Sequence, residues 1–179
     1  MTLKSVPPIF SQNHRILVAN KSDQEKMIRQ KERQNPMRQK IIAGNWKMYK
    51  TNLEAIRLAT QLKNRLEKKP PKKSKVVVCP PFTALSIVSQ TLKGSKIQVG
   101  AQNMYIAEEG PYTGEISGKM IKSSGARWVI IGHSERRKYF KEDEKFLNLK
   151  ILAALNSGLK IIFCVGERLE ERQQKLTMD

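Results

Sequence analysis

From about residue 40 onward, short apolar runs alternate with stretches of helical period. Ile41-Ile42-Ala43-Gly44 reads as a strand. Thr51 or Asn52 can cap the helix that follows, in which Leu53, Ile56, Leu62 and Leu66 recur at helical spacing. Lys68 to Lys73, with Pro70-Pro71, ends that helix. Lys75 to Cys79 is a valine-rich second strand stopped by Pro80-Pro81. Ala84 to Leu92 predicts a helix stopped by Gly94, and Ile97 to Ala101 a third strand. Gly118 to Ser124 predicts a short helical segment closed by Gly125, and Trp128 to Gly132 a fourth strand. Ser134-Glu135-Arg136-Arg137 opens a helical turn. Asp143 to Asn156 predicts a helix with Gly158 at its C-cap. Lys160 to Val165 is a fifth strand, and a further helix starts near Leu169.

The strands are unbroken apolar runs rather than alternating ones. That is the mark of strands buried on both faces, hence of a parallel α/β sheet. Periodicity alone leaves two architectures open, a doubly wound sheet and a closed (β/α) barrel. The segment Ala43-Gly44-Asn45-Trp46-Lys47 carries one glycine, so no G-x-G-x-x-G fingerprint follows the first strand. There is no phosphate-binding P-loop either.

Residues 1–39 differ. They contain Pro7-Pro8 and a polar, charged stretch from Lys21 to Asn35 without an apolar period, so this basic extension is expected to be mostly disordered. Ser22 could cap a short helix reaching Gln34. Asp23, Glu25 and Glu32 argue against a transit peptide. Met37 stands immediately before the first strand, which suggests translation from Met37 rather than Met1. N-terminal sequencing of the native protein showing Met1 would refute that start. Residues 40–179 form the expected folded domain.

Composition changes the picture little. Among 179 residues, 39% are hydrophobic, enough for a core. The formal charge is +18, from 34 Lys+Arg against 16 Asp+Glu. Such a balance raises nucleic acid, an acidic membrane surface or an anionic substrate as partners. The basic residues spread along the chain without interleaved aromatics, so nucleic acid is not an expected partner. Cys79 and Cys164 lie far apart, each ending an apolar run, as buried free thiols do in a reducing compartment. No apolar run approaches the length of a membrane helix, and no apolar signal core opens the chain. A cytoplasmic location is expected, with no metal site and no membrane partner.

In either architecture, functional side chains gather at the C-terminal ends of the strands. Those ends deliver Asn45 and Lys47, Pro80-Pro81-Phe82, Gln102-Asn103, His133-Ser134-Glu135, and Gly166-Glu167. Lys47 is either a solvated lysine or a point charge for a phosphate or a developing enolate oxygen. His133 is either a histidine satisfied by its neighbours or an imidazole that donates to a substrate oxygen. Its place at a helix start disfavours the cationic ring. Glu135 either pairs with Lys47 across the sheet or favours the helix start. Glu167 has the same two readings.

Several of these segments resemble one family. Ile41-Ala43-Gly44-Asn45-Trp46-Lys47-Met48, Pro80-Pro81 and Gly100-Ala101-Gln102-Asn103 are similar to triosephosphate isomerase. So are Tyr112-Thr113-Gly114-Glu115-Ile116-Ser117, Ile131-Gly132-His133-Ser134-Glu135-Arg136-Arg137 and Cys164-Val165-Gly166-Glu167, in the family's order. The resemblance covers residues 41 to 172. It implies a (β/α)8 TIM barrel, here truncated to about five of eight strands, and the interconversion of dihydroxyacetone phosphate with glyceraldehyde 3-phosphate in glycolysis and gluconeogenesis. It implies that Asn45, Trp46 and Lys47 bind substrate, with Lys47 countering its charge, and that Glu135 holds Lys47. It implies a neutral, electrophilic His133; this family is the standing example of such an imidazole, so that role is carried over rather than derived. It further implies that Cys164 is a buried thiol, that Thr113 lies on a loop reaching a partner subunit in a homodimer, and that no cofactor is needed.

The family's proton-transferring glutamate, lid loop and main-chain phosphate sites come after its sixth to eighth strands, beyond Asp179. Five strands cannot close an eight-stranded barrel. The expectation is therefore an isomerase sequence that lacks its base and shows no activity alone. The alternative is a catalytically inactive half-barrel that needs a partner or its missing C-terminal half. A basic nucleic-acid-binding fragment is a third reading that rests on charge alone.

Overall fold

The computed structural model describes residues 39–167 and 172–173. Among the described residues, strands alternate with helices except that two helices separate the last two strands: β1 (Lys40–Asn45), α1 (Asn52–Lys68), β2 (Ser74–Cys79), α2 (Phe82–Thr91), β3 (Ile97–Ala101), α3 (Gly118–Ser123), β4 (Trp128–Ile131), α4 (Ser134–Tyr139), α5 (Glu144–Asn156) and β5 (Lys160–Phe163). The expected disorder, helix and start site before residue 39 fall outside the described residues, as does most of the helix expected from Leu169.

All five strands are parallel, in the order β1-β2-β3-β4-β5. That order decides between the two architectures left open above. A doubly wound sheet reverses its order at a switch point. Here each strand pairs with the next in sequence, so same-handed crossovers keep the helices on one side and the sheet curls toward a barrel. The register is continuous where it matters: Asn45 lies beside Cys79, and Ile131 beside Phe163.

The unbroken apolar runs are explained by two cores, one on each face. In β2, Val78 packs toward the helices while Val77 and Cys79 face inward. In β4, Val129 and Ile131 join the helix side, with Ala84, Leu85, Val88 and Leu147, while Trp128 and Ile130 line the inner side. The indole N–H of Trp128 donates to Gln98 Oε1 at 2.6 Å, so the inward polar group is satisfied.

Burial on both faces does not extend to the outer strands. Ile41 and Ile42 in β1 remain 46% and 58% exposed, and Phe163 at the end of β5 remains 42% exposed. These strands have a neighbour on one edge only. The same cause corrects the expectation for Cys164. It follows the edge strand β5 and is only partly buried, whereas Cys79 is fully buried. Burial pushes the Cys79 thiol up to about 12.

Helix starts follow local chemistry. The Glu54 carboxylate accepts from Thr51 N at 2.8 Å and from its hydroxyl at 3.0 Å, fixing the start of α1. Asp143 Oδ1 accepts from Phe146 N at 2.8 Å and caps α5. Gly158, one residue beyond the C-cap Ser157, takes φ 70 and turns the chain into β5. Gly118 permits close packing of α3 on that turn: a Cβ there would lie 2.6 Å from Ser157 Cβ.

Candidate active site

Parallel strands place all their C-terminal ends on one rim. Asn45 closes β1 there and its Oδ1 accepts from Lys47 N at 3.0 Å. Trp46 N donates to the carbonyl of Cys79 at 3.0 Å, and the Trp46 side chain packs against the helix-side core. Gln102, just past β3, donates its amide to the carbonyls of both Cys79 and Lys47, at 2.8 and 2.9 Å. These bonds hold Lys47 at φ 52, a left-handed conformation that costs a residue with a Cβ on the order of 1–3 kcal/mol. Such strain persists only where the surroundings over-determine it, and here β1, β2 and β3 all do.

Lys47 Nζ meets Glu135 Oε1 at 2.8 Å. The pair is about half exposed, so it contributes little to stability. Its effect is on charge and position. Glu135 raises the Lys47 ammonium above its usual range, by a hydrogen bond and by its charge. The hydrogen bond from Lys47 holds Glu135 below the usual carboxylate range.

Glu135 also shapes His133. The imidazole caps α4, and its Nδ1 accepts from Glu135 N at 3.3 Å, while Glu135 Oε2 lies 3.5 Å from the same nitrogen. The two contacts ask for opposite protonation of Nδ1. The backbone N–H cannot release its proton, and the carboxylate is already engaged by Lys47. The geometry therefore assigns Nδ1 as acceptor and leaves Nε2 as the ring N–H donor. His133 reaches the rim because Gly132 precedes it at φ 78; a Cβ there would sit 3.0 Å from both the Cys164 carbonyl and the Phe163 ring. Arg137 Nε donates to the Gly132 carbonyl at 2.8 Å, and the same guanidinium pairs with Glu144.

Behind this rim lies a buried polar cluster absent from the sequence reading. Glu142 Oε1 accepts from Arg136 Nε at 2.7 Å and from Lys150 Nζ at 2.6 Å. Lys150 Nζ also donates to Asn103 Oδ1 at 2.7 Å. Glu142 and Lys150 are 5% and 1% exposed. Burial pulls the Lys150 ammonium below its ordinary range, opposed by its bond to Glu142. One signal for Lys150 was present: it shares a helix face with Leu147, Ile151 and Ala154, so a lysine stands on a core stripe. Glu142, in a charged run, gave none.

The structure thus brings Asn45, Lys47, His133 and Glu135 together, with Trp46 packed beneath. Thr113 stands exposed on the loop between β3 and α3, outside this hydrogen-bonded group. Glu167 lies past β5, 3.6 Å from Arg172. Among the described residues, no three His, Cys, Asp or Glu side chains are grouped to hold a metal. Among them, no helix is long and apolar enough to cross a membrane.

The profile of the triosephosphate isomerase family matches residues 40–179. The triosephosphate isomerase of Alkaliphilus oremlandii is 50% identical over 143 residues, covering 80% of this chain and 56% of that protein. That of Trichodesmium erythraeum is 52% identical over 136 residues, covering 76% and 56%. The crystal structure of triosephosphate isomerase from Bartonella henselae superposes with a TM-score of 0.66 at 39% identity, over 78% of this chain and 56% of that one. The chain spans just over half the length of the relatives it matches. Sequence profile, relatives and curled parallel sheet agree, and the chain belongs to the triosephosphate isomerase family.

Proposed function

We propose that this chain supplies the substrate-binding and electrophilic half of a site that interconverts dihydroxyacetone phosphate and glyceraldehyde 3-phosphate. The observation that carries the reading is the Lys47–Glu135 pair beside an imidazole whose Nδ1 is already occupied. Lys47 faces a doubly negative substrate and the oxyanion that forms when the carbonyl becomes an enediol. Asn45 fixes the turn that presents it, over Trp46. His133 donates from Nε2 to the carbonyl oxygen without needing a cationic ring. Glu135 serves position rather than proton transfer, because Lys47 engages its carboxylate. Abstraction of the carbon-bound proton needs a base other than Glu135, whose carboxylate Lys47 engages.

On the same reading the protein acts in glycolysis and gluconeogenesis, in the cytoplasm, as a homodimer whose Thr113 loop approaches the partner's Asn45 and Lys47 region. No cofactor enters the scheme. The exposed Ile41, Ile42, Phe163 and Val165 favour the second reading as well: this unit works only when further strands cover its edges.

A chimera tests the proposal. Residues 40–179 are fused to the portion of the Alkaliphilus oremlandii enzyme that this chain does not match. The 179-residue chain alone is expected to show no isomerase activity above buffer, and the folded chimera is expected to be active. A folded but inactive chimera would sink the reading.

A further inference from the structure

The buried cluster behind the rim is tied to Lys47 by two arms. Lys150 stands on α5, on the face that carries Leu147 and Ala154 into the helix-side core. Its ammonium donates to Asn103 Oδ1 at 2.7 Å and to Glu142 Oε1 at 2.6 Å. Glu142, in the turn between α4 and α5, also accepts from Arg136 Nε at 2.7 Å. Each arm then ends one residue from the site. Asn103 follows Gln102, whose amide donates to the Lys47 carbonyl at 2.9 Å. Arg136 follows Glu135, whose carboxylate meets Lys47 Nζ at 2.8 Å. The contacts close a ring. One arm holds the main chain of Lys47 and the other holds its side chain.

Two observations give the ring a purpose. First, α4 has no buried side chain, so packing does not fix where it carries Glu135. Polar anchors do so instead: Arg136 on Glu142, and Arg137 on the Gly132 carbonyl and Glu144. The Arg136 anchor is adjacent to Glu135 and ends on a buried carboxylate. Second, a buried ion pair is a poor source of stability, since apolar residues of similar volume serve as well or better. What it supplies is direction. Charge-assisted hydrogen bonds fix distance and angle, whereas apolar contacts are non-directional. The left-handed backbone of Lys47 at φ 52 needs surroundings that over-determine it, and the Gln102 bond is one of them.

We propose that Lys150, Glu142 and Asn103 are positioning residues for Lys47, joining α5 to the loop after β3 and to α4 so that the ammonium is presented at one place on the rim. The role rests on the reading of Lys47 as the charge that meets the substrate. None of the three touches that substrate. They act through Gln102 and Glu135.

The test is competitive acylation of the full chain with acetic anhydride at fixed pH, read lysine by lysine by mass spectrometry. Lys47 is shielded by its bond to Glu135, and Lys63, bonded to the Lys93 carbonyl on α1's side of the fold, is the internal reference. Glu142→Leu with Lys150→Met removes both buried charges and spares the core. Lys47 is expected to react about two- to fivefold faster in it, the change that loss of a half-exposed ion pair allows, with Lys63 unchanged. Asn103→Leu cuts a single link, leaves Lys150 its bond to Glu142, and carries the test if the double variant does not fold. It is expected to speed Lys47 in the same direction, and Asn103→Asp, which keeps the acceptor, to restore the parent rate. An unchanged Lys47 rate in the folded variants would overturn the proposal and leave the cluster a purely structural one. So would a parallel rise at Lys63, which reports general loosening, or an Asn103→Asp protein as reactive as Asn103→Leu. Acylation needs no turnover, so an inactive chimera counts against the isomerase reading and an unchanged Lys47 rate against this one.

Discussion

In the chimera, His133→Gln is expected to lower kcat by about 10²- to 10⁴-fold while KM changes little. Glutamine is neutral, of similar reach, and able to cap α4, so the fold at the rim is retained. On the proposed reading, what is lost is the imidazole N–H that meets the oxygen where charge develops, a contact that strengthens on the way to the enediol. Lys47→Met is expected to behave differently, raising KM as well as lowering kcat, because on the proposed reading its charge meets the substrate before and during reaction. Glu135→Gln separates position from charge: it keeps an acceptor for Lys47 and weakens the grip on it. The pH dependence follows from the two shifts. Glu135 lies below its ordinary value of 4.5, so its charge is complete above that and is lost only as pH falls through the depressed value. Lys47 lies above its ordinary 10.5, so its charge persists until pH rises through the raised value. Neither group of the pair titrates near neutrality, and any neutral-range limb in kcat/KM must come from elsewhere. Steady-state assays of the variants decide the matter; a His133→Gln rate within tenfold of the parent would remove the imidazole from the proposed role.

How much of this was legible beforehand depends on what each element rests on. The strands were readable because β2 and β4 carry apolar residues on both faces, and a run such as Val76-Val77-Val78 leaves no other period. Strand order was not readable, since the same runs suit a doubly wound sheet; only the pairing of each strand with its successor resolves it. The helix starts at Thr51 and Asp143 were legible because capping is local chemistry. The Lys47–Glu135 contact joins residues far apart in sequence, and residue types alone left two readings for each. Exposure at β1 and at Cys164 was misjudged for the converse reason. An apolar run says that burial is favourable, not that a neighbour is there to provide it. The Glu142–Lys150 cluster escaped because a buried charge pair carries no sequence pattern beyond a lysine on an apolar stripe.

That cluster bears the largest expected effect on stability. Glu142→Ala is expected to destabilise the chain by about 3–5 kcal/mol, against a total of roughly 5–15 kcal/mol for a typical domain. The cost is not the value of the ion pair. It comes from leaving the Lys150 ammonium, 1% exposed, with Asn103 Oδ1 and the face of Phe146 as its remaining partners. Arg136 is less affected, being partly exposed and stacked 4.4 Å over Phe140. A loss of that size corresponds to a fall of about 10–15 °C in Tm for a chain of this length. Removing both charges tests the cause. Glu142→Leu with Lys150→Met takes away the desolvated pair together and is expected to recover most of the loss, leaving chiefly the unpaired Asn103 oxygen, about 1–3 kcal/mol. Urea unfolding of the parent, both single variants and the double variant gives the cycle directly. If the double variant is as unstable as Glu142→Ala, the cluster acts through shape rather than charge. If Glu142→Ala costs less than about 1 kcal/mol, water reaches Lys150 and the charge is not buried at all.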